Sequence, residues 1–97
     1  MQLTFALNCL EKNTHPTNSY HSLGITQHSL RDFNAALDSK QHALNIRLKL
    51  FGENHASTAD SYLSLNMTQL SLGDINGALD SFRHALESTL IWLDKKT

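Results

Sequence analysis

Residues 19–44 read SYHSLGITQHSLRDFNAALDSKQHAL, and residues 61–86 read SYLSLNMTQLSLGDINGALDSFRHAL. Set 42 positions apart, the two stretches agree at 17 of 26 positions, among them Tyr20/Tyr62, Leu23/Leu65, Gln27/Gln69, Asp32/Asp74, Ala36/Ala78, Ala43/Ala85 and Leu44/Leu86. A fixed period of this length means stacked copies of one supersecondary unit, not a globule folded around one site. Units of that kind bury faces against their neighbours along a line and expose a long surface, which points to binding before chemistry.

Within each copy the apolar spacing is helical. Tyr20, Leu23, Gln27 and Leu30 recur at intervals of 3, 4 and 3 and mark one face of a helix that Pro16 opens, behind Thr14 as a cap. Leu30-Arg31-Asp32 breaks the pattern, and Asp32 is placed to cap the next helix with its carboxylate. Phe33, Ala36, Leu37, Lys40, Ala43, Leu44 and Leu48 form the second face. Lys40 intrudes there; its stem is expected to lie along the core with the ammonium carried out to water. Phe51-Gly52-Glu53-Asn54-His55 is the next break, and Gly52 suits a left-handed residue past a helix end. A third helix is predicted over 56–72, with Tyr62, Leu65, Gln69 and Leu72 inward. After the turn Leu72-Gly73-Asp74 a fourth begins at Ile75 and carries Ala78, Leu79, Phe82, Ala85 and Leu86 on its face. Residues 2–12 read as one more short helix. Ala36, Ala43, Ala78 and Ala85 are the small residues that let two antiparallel helices approach closely. The connector HPTNSY, running to Tyr20, is two residues shorter than HASTADSY, running to Tyr62, so the first helix is expected either to start late or to have a strained entry.

Composition excludes several classes. The chain has 97 residues, 40 % hydrophobic and 18 % charged, with one Pro and four Gly, which fits one small folded domain. A net charge of −1 with scattered Lys and Arg gives no footprint for nucleic acid. No apolar run is long enough to cross a membrane, and the N-terminal stretch does not read as a signal peptide. The single cysteine, Cys9, has no partner for an internal disulfide, which suits a reducing, cytoplasmic setting.

These residues resemble the tetratricopeptide repeat, whose pattern runs Trp-x₂-Leu-Gly-x₂-Tyr, then Ala-x₃-Phe, then Ala. Here the first copy gives Tyr20-x₂-Leu23-Gly24-x₂-Gln27, Ala36-x₃-Lys40 and Ala43; the second gives Tyr62-x₂-Leu65-Asn66-x₂-Gln69, Ala78-x₃-Phe82 and Ala85. The 42-residue period and the FGENH connector look like the kinesin-light-chain and nephrocystin type of the repeat. The resemblance implies an all-α fold, antiparallel helix-turn-helix units stacked as a short α-solenoid. It divides the chain into a partial N-terminal helix at 1–13, one repeat at 14–55, a second at 56–88 and a C-terminal extension or cap at 89–97.

The same resemblance implies a non-catalytic module that holds a peptide or helical partner in its concave groove. The alternative is a structural or regulatory spacer within a larger signalling or motor-adaptor protein. Candidate groove residues are those between the core positions of the first helix of each repeat: Asn18, His21, Ile25 and His28 in one copy, and Asp60, Leu63, Met67 and Leu70 in the other. Residues 16–30 and 56–72 contain no Lys or Arg, so a clamp for a chaperone-tail carboxylate, which needs fixed positive charge, is disfavoured. No catalytic constellation, cofactor motif or metal-ligand spacing is present: His21 and His28 stand seven apart, where helical zinc pairs sit three or four apart. Nucleic acid and membrane are not expected partners. The apolar stripe Leu86, Leu90, Leu93, widened by Ile91 and Trp92, reads either as a cap folded back on the fourth helix or as a patch for a partner or a second copy of the chain.

Overall fold

The computed structural model describes residues 16–96, with side chains from 19 to 95. The helix expected at 2–12, the segment 1–13 and Cys9 lie outside the described residues. Four helices follow one another: α1 (Pro16–Ser29), α2 (Phe33–Phe51), α3 (Ala56–Ser71) and α4 (Ile75–Lys96). α1 packs on α2 and α3 on α4 as helix hairpins; α2 packs on α3 to join them, and α1 touches α3. This is the all-α, stacked helix-turn-helix arrangement. Where α1 starts, and with it the effect of the shorter connector, lies outside the described residues.

The two tight turns share one hydrogen-bond pattern. Arg31 N–H donates to His28 O at 2.9 Å and Asp32 N–H to Gln27 O at 2.9 Å; forty-two residues on, Gly73 N–H donates to Leu70 O at 3.0 Å and Asp74 N–H to Gln69 O at 2.9 Å. This pair of bonds satisfies the last free carbonyls of a helix and requires a left-handed residue at the turn. Gly73 (φ 82°) takes that conformation freely, whereas Arg31 (φ 66°) holds it at a steric cost. Gly52 (φ 81°) ends α2 and its N–H donates to Leu48 O at 2.9 Å.

The caps differ. Asp74 accepts the Gly77 N–H at 3.0 Å, and a Cβ at position 77 would overlap that carboxylate. The counterpart of Gly77 is Ala35, which carries the Cβ, and Asp32 makes no side-chain cap bond. The cap expected of Asp32 is therefore corrected: the residue holds the position without the hydrogen bond. α3 is capped by His55, which accepts the Ser57 N–H at 3.0 Å.

The hairpins close on alanine. Ala36, Ala43, Ala78 and Ala85 are at most 2 % exposed, so the paired helices meet at near-backbone distance. Each hairpin is then tied by the same two side-chain contacts. Ser39 donates to Gln27 Oε1 at 2.7 Å, and Ser81 to Gln69 Oε1 at 2.7 Å. Tyr20 stacks on His42 and Tyr62 on His84, each with ring centroids 5.0 Å apart. Glutamine thus stands where the family pattern has an aromatic because it bridges the helix pair by a hydrogen bond.

Several expected core residues are half in water. Leu23, Leu79, Phe82 and Leu86 are exposed because, among the described residues, α1 and α4 are covered on one side only; Leu30 and Leu72 are exposed because they stand at the turns. Residues 89–96 prolong α4 as continuous helix and do not fold back as a separate cap. The Trp92 ring lies 4.5 Å from that of His55, which stacks on Phe51 at 4.4 Å, so the extension of α4 is anchored to the connector between the repeats.

Candidate functional site

α1 and α3 lie side by side on one face of the stack, and a cavity of about 470 Å³ opens between them. Its lining brings together six of the eight candidate residues: His21, Ile25 and His28 from α1, and Asp60, Leu63 and Met67 from α3. Ser29, Ser64 and Lys40 complete it. Leu70 is exposed on α3 but does not line the cavity. Asn18 lies within α1, and its side chain is outside the described ones.

The walls are apolar and open. Ile25, Leu63 and Met67 are 47, 40 and 58 % exposed, a loss of apolar burial that the packing of either hairpin does nothing to recover. The floor is polar and comes from the second helix of the first repeat. Lys40 is 3 % exposed; its Nζ donates to Thr68 Oγ1 at 2.7 Å and to Ser64 O at 3.0 Å. The expectation that its ammonium reaches water is therefore corrected. Its stem lies under Gly24, where a Cβ would stand 2.6 Å from Lys40 Cγ, and the chain leaves toward α3 and not toward solvent. Burial holds this lysine below the ordinary lysine range.

A second cation enters the same interface. Arg47 Nη1 donates to Ser57 O at 2.8 Å, to Ser61 Oγ at 2.9 Å and to Asp60 Oδ2 at 3.4 Å. Asp60 also faces His21 Nε2 at 3.6 Å. Although α1 and α3 carry no Lys or Arg, α2 thus supplies two cations from behind. Sequence reasoning missed both as site residues. The one available signal was Lys40 in the place of the pattern's Phe.

The surroundings disfavour the charged form of both histidines. Burial, and after it the Arg47 guanidinium, hold His21 below the ordinary histidine range; the Asp60 carboxylate opposes them and Lys40 adds to the lowering. His21 Nδ1 is shut from solvent and has no hydrogen-bond partner among the described residues. His28 is lowered by burial first and by Lys40 second. Its Nδ1 lies 3.0 Å from Thr68 Oγ1, the hydroxyl that already accepts from Lys40. That hydroxyl has one hydrogen left to donate, and a neutral His28 Nδ1 can accept it.

No group of three or more His, Cys, Asp or Glu that could hold a metal ion occurs among the described residues, and none of their helices is long and apolar enough to cross a membrane. A family model described as Tetratricopeptide repeat matches residues 16–89. No curated protein and no solved structure matches the chain.

Proposed function

The chain belongs to the tetratricopeptide repeat family, and from that premise we propose that it is a non-catalytic interaction module that takes a peptide or a helical segment of a partner protein into the groove between α1 and α3. Repeats of this family generally mediate protein–protein interaction, and the groove is one of the faces where this chain leaves large apolar side chains in water. The observation that carries the reading is the open apolar wall of Ile25, Leu63 and Met67 above a polar floor. Apolar surface with a few convergent polar groups is the usual make-up of a recognition site.

The preferred occupant has an apolar side chain to set between Ile25 and Met67. An acidic chaperone tail is a poor fit, for a reason different from the absence of basic residues on α1 and α3. Lys40 spends two of its three donors on Ser64 and Thr68 and is desolvated, and Arg47 is engaged by Asp60, Ser57 and Ser61. Neither is free as the fixed cation that a carboxylate clamp requires.

Peptides selected from a random library on the immobilised chain test the reading. Ile25→Asp and Met67→Asp should weaken the selected peptides at least about tenfold, or 1.4 kcal/mol, while leaving the melt unchanged because both side chains are exposed. Peptides that bind both variants as they bind the wild type would place the site elsewhere. A library that yields no peptide would favour the spacer role.

A further inference from the structure

α2 and α4 hold the same place in successive repeats, yet only α2 is covered. Lys40, Leu44 and Arg47 on α2 are 3, 3 and 6 % exposed beneath α3. Their counterparts 42 residues on are Phe82, Leu86 and Thr89. Phe82 and Leu86, with Leu79 and Leu90 on the same stripe, are between 48 and 58 % exposed.

The other end of the chain is complementary. α3 meets α2 through Ser61, Leu65 and Thr68, all buried. α1 carries the identical residues at the identical spacing, Ser19, Leu23 and Thr26, and all three are exposed. Among the described residues, α1 thus repeats the face that α3 turns to α2, and α4 offers the matching position with Leu86 kept and with Phe82 and Thr89 in place of Lys40 and Arg47. A cavity of about 160 Å³ lined by Leu63, Phe82 and Leu86 is the unfinished counterpart of the groove cavity; it lacks the wall a further first helix would supply. The substitution of Lys40 and Arg47 by Phe82 and Thr89 also removes the charges that such a contact would otherwise desolvate.

We propose that the α4 face takes α1 of a second copy of this chain, in the register α3 adopts on α2, so that copies add head to tail and the groove continues across the junction. Such a contact joins two different surfaces and does not close on itself after two copies.

Sedimentation equilibrium of the 97-residue chain tests this with two variants, Thr26→Arg at the head and Leu86→Arg at the tail. Both side chains are exposed in the single chain, so each variant should keep the wild-type helicity and melt. The average mass of the wild type should rise with concentration past that of two copies. Each variant alone should stay at 10.9 kDa, its association constant lowered about tenfold or more by the buried charge. An equimolar mixture should form one-to-one pairs and nothing larger, because Thr26→Arg keeps an intact tail and Leu86→Arg an intact head. A wild type that stays at 10.9 kDa up to about 1 mM would overturn the proposal, at a Kd weaker than that. So would pairing of Thr26→Arg with itself, the mark of an α4-to-α4 contact, or a mixture no heavier than its parts. Should Leu86→Arg fail to fold, Leu90→Arg on the same stripe serves as the tail variant.

Discussion

Replacing Lys40 separates what its stem does from what its charge does. The stem fills the space under Gly24 between α1 and α2, and the ammonium spans to α3. Lys40→Met keeps a side chain of similar length and volume and deletes the charge. What is lost is two hydrogen bonds from a charged donor, each about 1.5–3 kcal/mol. What is regained is the desolvation of the ammonium, several kcal/mol for a buried ion. No carboxylate comes within ion-pair reach of Lys40 among the described residues, so Coulomb attraction does not repay that desolvation. The direction of its pKa, lowered by burial, says that the charged form is disfavoured in place. The two sides nearly cancel, and Lys40→Met should lie within about 1 kcal/mol of the wild type.

Lys40→Ala also removes the stem. Three methylenes at about 0.8 kcal/mol each, plus a cavity term, give a loss of about 2–4 kcal/mol. Urea unfolding followed by circular dichroism measures both variants. A loss of 3 kcal/mol or more in Lys40→Met, matching that of Lys40→Ala, would show that the hydrogen bonds and not the packing hold α2 to α3. The groove supplies an independent readout. Lys40 depresses both His21 and His28, so in Lys40→Met both rings should titrate at higher pH by nuclear magnetic resonance.

Three further outcomes follow from the turns, the close contacts and the groove. Arg31→Gly should stabilise by about 0.5–1 kcal/mol, since a left-handed arginine costs about 1–2 kcal/mol and glycine returns part of that as unfolded-chain entropy; a lowered melting midpoint would contradict the strain. Gly24→Ala should destabilise by about 1–3 kcal/mol by overpacking, and Lys40→Ala should rescue part of it in a double-mutant cycle because Lys40 Cγ is the nearest obstacle; strict additivity would refute that contact. Stability should fall as pH drops below about 6.5, because His21 and His28 are lowered in the folded chain and the unfolded chain takes up protons first. Urea midpoints unchanged between about pH 7 and pH 5 would refute it.

The faces of the helices were legible because a period of 3.6 marks them, and the turns because Asp32 and Asp74 follow a break in that period. Burial along those faces was less so. Periodicity states which side of a helix is apolar and not what lies opposite: Leu44 is buried and its identical counterpart Leu86 is half exposed. Lys40 was placed in the right stripe and given the wrong destination for the same reason, since snorkelling assumes water at the end of the stem and α3 is there instead. Asp32 holds the cap position without the hydrogen bond, because residue type places a cap and does not fix the carboxylate's rotamer.

The groove candidates were legible on a different ground, which also explains why the repeat is imperfect. The two copies differ at nine positions. At three of them the pairs are His21/Leu63, Ile25/Met67 and Lys40/Phe82; all but Phe82 line the groove cavity, and Phe82 lines its unfinished counterpart. At a fourth, His28 lines the cavity while its counterpart Leu70 stands outside it. Two more, Arg31/Gly73 and Ala35/Gly77, adjust a turn and a cap. The positions that close each hairpin are held in common: the alanines at the helix contacts, the Gln–Ser bridges and the Tyr–His stacks; so is the Ser–Leu–Thr face of the first helix, although its partners Lys40 and Arg47 on α2 are not repeated on α4. Each hairpin needs the same contacts to close, so the residues that make them repeat. A groove that recognises one ligand needs a different side chain at each step along it, and there the two copies have diverged.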